Sequence, residues 1–105
     1  MKIAREEIFG PVISTIPFDS EEEAIRLAND TSYGLAASLY TTNIDTAMRV
    51  ARSIRAGTVS VNAYSEGDVS TPFGGYKESG FGGRDKGLEA FDQYTEKKTI
   101  WFALR

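Results

Sequence analysis

The chain has 105 residues, a formal net charge of −3 and neither cysteine nor histidine. Within these residues that excludes disulfides, thiolate and imidazole metal sites, cysteine nucleophiles and histidine general bases. The length predicts one domain, and 41% hydrophobic with 26% charged residues is a globular composition.

The β-branched run from Val12 to Phe18 predicts a first strand, closed by Pro17, which lacks an N–H. A helix starts after Asp19 and Ser20, where Ser20 and Glu23 have the spacing of a capping box. Glu21, Glu22 and Glu23 sit at the positive end of its dipole, and Ala24, Ile25, Leu27 and Ala28 give one apolar face. The turn-forming cluster Asn29 to Gly34 stops it. Leu35 to Tyr40 predicts a second strand, apolar enough to be covered on both faces. A second helix is expected from Asn43 to Arg55, with Ala47, Val50, Ala51 and Ile54 as its stripe and Arg49, Arg52 and Arg55 facing solvent. Gly57 stops it, and Thr58 to Asn62 reads as a third strand. The irregular stretch from Ala63 to Arg84 is glycine-rich, and a loop of that length in a compact domain carries function or stays disordered. A short helix from Asp85 to Tyr94 and a terminal strand from Thr99 to Leu104 complete the chain.

The order β-α-β-α-β with short connections predicts an α/β fold with a parallel sheet of three or four strands, followed by a helix and strand at the C-terminus. The glycines around Lys77 are not a phosphate loop, because Lys77 is followed by Glu78 and the GxxxxGK[ST] pattern is absent. The acidic balance argues against a nucleic-acid partner. No apolar run reaches the roughly 18 residues of a membrane span. No membrane partner is therefore expected. The residues from Met1 to Glu7 lack a signal peptide's apolar region, so the expected location is cytoplasmic.

Three segments carry a resemblance: Arg5-Glu6-Glu7-Ile8-Phe9-Gly10-Pro11, Gly57-Thr58-Val59-Ser60-Val61-Asn62, and Pro72-Phe73-Gly74-Gly75-Tyr76-Lys77-Glu78-Ser79-Gly80. In this order and spacing the chain resembles the C-terminal part of the NAD(P)-dependent aldehyde dehydrogenases, over essentially its whole length. The resemblance implies that residues 1–84 are the C-terminal part of a catalytic domain and 85–105 a helix and oligomerisation strand. It also implies that the nucleophilic cysteine, general base and dinucleotide-binding domain lie upstream. The intact reaction oxidises an aldehyde to a carboxylic acid while reducing NAD or NADP.

The same resemblance assigns roles residue by residue. Glu7 is similar to a glutamate that grips the nicotinamide ribose, since a carboxylate can accept from two vicinal hydroxyls. Phe9 is similar to the residue that packs beside the nicotinamide ring. Phe73 resembles an aromatic of the substrate tunnel, and the loop from Ala63 to Thr71 its mouth. Glu66 and Asp68 in that loop, with Tyr64, are expected to favour a cationic aldehyde. Glu96 resembles a glutamate at subunit contacts, and Thr99, Ile100, Trp101 and Phe102 the strand that joins a neighbouring subunit. The usual SGxGR occurs here as Ser79-Gly80-Phe81-Gly82-Gly83-Arg84, with one residue more, which unsettles the ion-pair role of Arg84. The expected partners are copies of the chain, or the remainder of the enzyme, and a small aldehyde. Alone, the chain is expected to be inactive and to bind no cofactor. The competing reading is a stand-alone, non-catalytic module for self-association or subunit docking.

Overall fold

A computed structural model describes residues 1–65 and 67–104. Its regular elements are helix α1 (Glu21–Asn29), strand β1 (Ala36–Leu39), helix α2 (Ile44–Ser53), strand β2 (Thr58–Val61) and helix α3 (Ala90–Gln93). Single 3₁₀ turns occur at Lys2–Ala4 and Lys77–Ser79.

Helix α1 begins where its cap residues require. Ser20 Oγ accepts from the Glu23 N–H at 3.1 Å, and the Glu23 carboxylate accepts from the Asp19 N–H at 3.1 Å. The reciprocal bond therefore reaches one residue ahead of the cap. Asn43 caps α2 in the same way, accepting from the Thr46 N–H at 3.0 Å. The two helices are tied by charge. Arg49 donates to the Glu21 carboxylate from Nε at 2.9 Å and from a terminal nitrogen at 2.8 Å, the two-pronged geometry a guanidinium allows. The arginine's hydrogen bonds hold the Glu21 carboxyl below its ordinary value.

The strands form a parallel pair, running from Ala36 opposite Thr58 to Leu39 opposite Val61. At its end the Asn62 side chain continues the ladder. Its Oδ1 accepts from the Thr41 N–H and its Nδ2 donates to the Thr41 carbonyl, both at 2.8 Å. The amide thus imitates a further peptide, while Asn62 itself turns the chain at φ 54°.

Helix–strand alternation and parallel pairing match the α/β expectation, but several elements differ. The segment from Val12 to Phe18 is extended yet unpaired, so the sheet has two strands rather than three or four. No strand pairs with it within the described residues, and an extended segment becomes a strand only by pairing. Strand β1 alternates exposed and half-buried residues, so one face is bare instead of both being covered. The helix expected from Asp85 shrinks to Ala90–Gln93, because Lys86 and Gly87 both take left-handed backbone angles, φ 64° and 61°, which a right-handed helix cannot include. Thr99 to Leu104 forms no strand, and its residues are exposed.

Among the described residues, Ala47 and Ala56 are the only buried hydrophobic side chains. The accessible surface is 9075 Å². A folded protein of 11.5 kDa exposes about 5,800 Å² by the usual size scaling. The radius of gyration is 18.5 Å, against about 13 Å for a compact domain of this length. About 3,300 Å² more surface is therefore exposed than that scaling expects.

Two outcomes follow for the helices. Ser20→Ala and Asn43→Ala should each lower stability by about 1 kcal/mol in denaturant unfolding followed by circular dichroism. Glu21 is the acid-sensitive tie. Its lowered carboxyl contributes fully above the ordinary value of 4.5 and loses its contribution as pH falls through the lowered one. Glu21→Gln should flatten that acid limb of the stability profile.

Candidate functional site

The N-terminal segment is held by few contacts. Arg5 reaches the Asp30 carboxylate at the end of α1, at 3.0 Å for the shorter of two bonds. Ser14 Oγ donates to the Ile3 carbonyl at 3.3 Å. The Val12 N–H meets the Gly10 carbonyl at 2.7 Å, a tight turn centred on Pro11, whose ring already fixes the needed φ. Just before this turn Phe9 sits at φ 54°, an unusual conformation for an aromatic residue, with its ring 92% exposed. Glu7 and Phe9 line one open depression of about 510 Å³ with Ile3, Ile8 and Val12. Glu6 turns to Lys2 at 3.7 Å, whereas the Glu7 carboxylate has no partner among the described residues. A free carboxylate and an exposed aromatic residue thus share one depression.

The glycine-rich loop is anchored differently. The Gly34 carbonyl accepts from the Gly57 N–H at 3.0 Å and the Tyr76 N–H at 2.8 Å, and the Gly34 N–H donates to Ser79 Oγ at 3.0 Å. Lys77 Nζ donates to the Asn29 carbonyl at 3.0 Å and the Thr31 carbonyl at 2.9 Å, which places a cation at the negative end of α1. Asn29 in turn donates to the Ser53 carbonyl at 2.9 Å and accepts from the Arg55 N–H at 2.8 Å. The motif lysine therefore closes a helix rather than cradling a phosphate. Phe73 and Asp85 exchange two backbone hydrogen bonds of 2.6 Å, which fixes where the Phe73 ring stands. Lys86 lies 5.2 Å from the centre of that ring. Arg55 and Arg84 lie 5.2 and 5.5 Å from the Tyr76 ring. Arg84 also donates to the Gly83 carbonyl and has no carboxylate partner among the described residues.

Asp68 is turned into its own loop. Its Oδ1 accepts from the Ser70 N–H at 2.9 Å and Ser70 Oγ at 2.7 Å, and these bonds, with the charge of Lys86 among the lesser causes, hold its carboxyl below the usual range. Glu66 lies outside the described residues. Tyr64, Glu96, Thr99, Ile100, Trp101 and Phe102 are exposed. The fold thus brings Glu7 to Phe9, and Phe73 and Asp68 to the neighbourhood of Lys86. No hydrogen bond or ion pair joins the two groups among the described residues. The roles of Lys77, Asn29 and Lys86 were not apparent in the sequence. For Lys77 the one signal was Glu78, which stands where a phosphate loop needs Ser or Thr.

The model of the aldehyde dehydrogenase family matches residues 1–100. The chain belongs to the aldehyde dehydrogenase family. It is 66% identical to an aminoacetaldehyde dehydrogenase of Pseudomonas aeruginosa over 95% of its own length and 20% of that protein's. It is 53% identical to the NADP/NAD-dependent aldehyde dehydrogenase PuuC of Escherichia coli, covering 97% of this chain and 20% of that one. Among solved structures, a P. syringae indole-3-acetaldehyde dehydrogenase in complex with NAD+ superposes with a TM-score of 0.90 at 59% identity, over 99% of this chain and 21% of that one. The chain spans about a fifth of the length of the aldehyde dehydrogenases it matches.

Gly57 is where the motif loop presses hardest on the sheet. A Cβ there would lie 1.6 Å from the Gly74 carbonyl oxygen. In a full-length relative carrying these residues, Gly57→Ala should destabilise by about 3 kcal/mol. Thermal unfolding checks this, and the neighbouring Ala56→Gly serves as a control for backbone freedom.

Proposed function

We propose that these residues serve an enzyme that oxidises an aldehyde to a carboxylic acid with NAD or NADP. In it they position the cofactor, line the substrate tunnel and make assembly contacts. The observation that carries this reading is the 66% identity to an aminoacetaldehyde dehydrogenase, set beside the free Glu7 carboxylate and bare Phe9 ring that share one depression. Glu7 would accept from the ribose hydroxyls, and Phe9 would bound the nicotinamide ring and fix its tilt. The cofactor, when bound, supplies the hydride acceptor. Phe73, held by its bridge to Asp85, would wall the path of the aldehyde. With no cysteine in the sequence, the nucleophile must come from polypeptide outside these residues. The segment from Thr99 to Phe102 would gain strand partners, and Glu96 a cationic partner, only in a larger assembly.

The test has two arms. The isolated chain, incubated with NAD and a panel of aldehydes, should produce no reduced cofactor by absorbance. A chimera in which these residues replace the matching stretch of the Pseudomonas aminoacetaldehyde dehydrogenase should turn over. In that chimera Glu7→Gln should raise the KM for NAD about tenfold, the loss of roughly one charge-assisted hydrogen bond. Turnover by the isolated chain, or an unchanged KM, would overturn the respective assignment.

A second reading concerns substrate charge. Asp68 is ionised at neutral pH like any exposed carboxylate, and its bonds to Ser70 hold its carboxyl lower still. One relative is named for a cationic substrate, aminoacetaldehyde, and others for 4-trimethylaminobutyraldehyde. We assign Asp68 a steering role at the tunnel mouth, opposed in part by nearby Lys86. In the chimera, Asp68→Asn should lower kcat/KM for a cationic aldehyde more than for a neutral one of similar length, and the difference should shrink with added salt. Equal effects on both substrates would remove the assignment.

A further inference from the structure

The depression that Glu7 and Phe9 share belongs to one arm of the chain. Every residue lining it falls between Ile3 and Ser14. The arm is closed at its base by the bond from Ser14 Oγ to the Ile3 carbonyl, and its tip is the turn at Gly10 and Pro11. None of the lining residues comes from α1, α2 or the sheet. The depression therefore fixes Glu7 relative to Phe9, and leaves the aim of the whole arm to its ties with the body.

Residues 1–9 have one such tie. Among the described residues, the hydrogen bonds and ion pair that link them to anything beyond Ser14 are those of Arg5 with Asp30. The guanidinium meets both carboxylate oxygens, at 3.0 and 3.5 Å, a fork that sets direction as well as distance. Arg5 is itself held by a turn, its N–H donating to the Lys2 carbonyl at 2.9 Å, and Glu7 follows two residues later.

The other end of the tie is a fastened platform. Asp30 is the C-cap of α1. On either side of it the Asn29 and Thr31 carbonyls accept from Lys77 Nζ, and the Asn29 side chain bonds to Ser53 and Arg55. The Ser32 carbonyl accepts from the Glu78 N–H at 3.0 Å. Helix stability alone would not place a carboxylate here, because the C-terminal end of a helix carries partial negative charge. The acid at this position is explained by the cation it holds.

We propose that Arg5 and Asp30 are positioning residues for the cofactor. From the platform at the end of α1 the pair aims the arm, and with it Glu7 and Phe9. The proposal rests on the reading of Glu7 as the group that accepts from the cofactor's ribose. The two side chains are 66% and 53% exposed, so the tie is weak and salt-sensitive. Cofactor affinity thereby depends on an ion pair that never touches the cofactor.

The test is a kinetic cycle in the chimera described above. Arg5→Ala should raise the KM for NAD about threefold at low salt, the worth of one exposed ion pair, and leave the KM for the aldehyde unchanged. Asp30→Ala should do the same, and the double variant no more than either single one, because all three remove one pair. Arg5→Lys keeps the charge but loses the fork, so its effect should be smaller. Exchanging the two charges, Arg5→Asp with Asp30→Arg, should restore most of the loss. The excess over the unsubstituted chimera should shrink as salt is added. Additive effects of the two alanine variants, or an equal rise in both KM values, overturn the proposal. So does a lowered melting temperature with the KM for NAD unchanged, which marks the pair as structural. Glu7→Gln separates this proposal from the reading beneath it. If that variant raises the KM for NAD and Arg5→Ala does not, the tie alone fails. If neither moves it, the assignment of Glu7 fails and the tie with it.

Discussion

Three stretches of chain distant in sequence meet at the peptide of Gly34. Its carbonyl receives the amides of Gly57 and Tyr76, and its own amide bonds to Ser79. The entry to β1, the entry to β2 and the motif loop are thereby set by one buried residue. The position must be glycine for reasons of space. A Cβ would lie 2.6 Å from the Arg55 carbonyl and 3.1 Å from the Tyr76 Cβ. Gly57 and Gly75 face similar crowding from Gly74 and Ser79. The glycines of the motif thus serve close backbone packing, and Lys77 adds a charged clasp to the end of α1.

This local economy stands beside a near absence of core. Two small side chains are the buried hydrophobics among the described residues, while Phe9, Phe81, Trp101 and Phe102 stand open to solvent. Hydrophobic burial is the main force against the conformational entropy of folding. A chain that buries so little draws its order from caps, clamps and peptide contacts, and these are individually worth only about a kilocalorie per mole. The helices and strands have the right shapes but lack most of what they are shaped to pack against. The resemblance to one fifth of a larger enzyme gives that incompleteness a physical sense.

Local signals in the sequence were read well where local chemistry decides. Ser20 with Glu23, and Asn43 ahead of its stripe, located two helix starts because a cap needs only its own neighbours. The β-branched run at Thr58 and the apolar run from Leu35 to Tyr40 gave a paired ladder because both partners lie within the chain. The Val12 to Phe18 segment is β-branched as well, yet no strand pairs with it among the described residues. The Asp85 helix failed for a subtler reason: Lys86 and Gly87, directly after the bridge from Asp85 to Phe73, take left-handed angles that end any helix there. Of the candidate site, the nearness of Glu7 to Phe9 was legible from their adjacency. The approach of Lys86 to Phe73 was not, because twelve residues separate them.

The two asparagine clamps share a chemical vulnerability. Asn29 and Asn62 each use the amide nitrogen to donate to a backbone carbonyl, and the amide oxygen to accept from a backbone N–H. Spontaneous hydrolysis of a side-chain amide exchanges that nitrogen for a second oxygen. At either site the new carboxylate would confront the carbonyl of Ser53 or of Thr41, and one attractive contact would become a repulsion between two oxygens. The sites where a side chain imitates a peptide are therefore also sites where slow chemical ageing of the protein would unfasten it, at the junction of the two helices and at the end of the ladder.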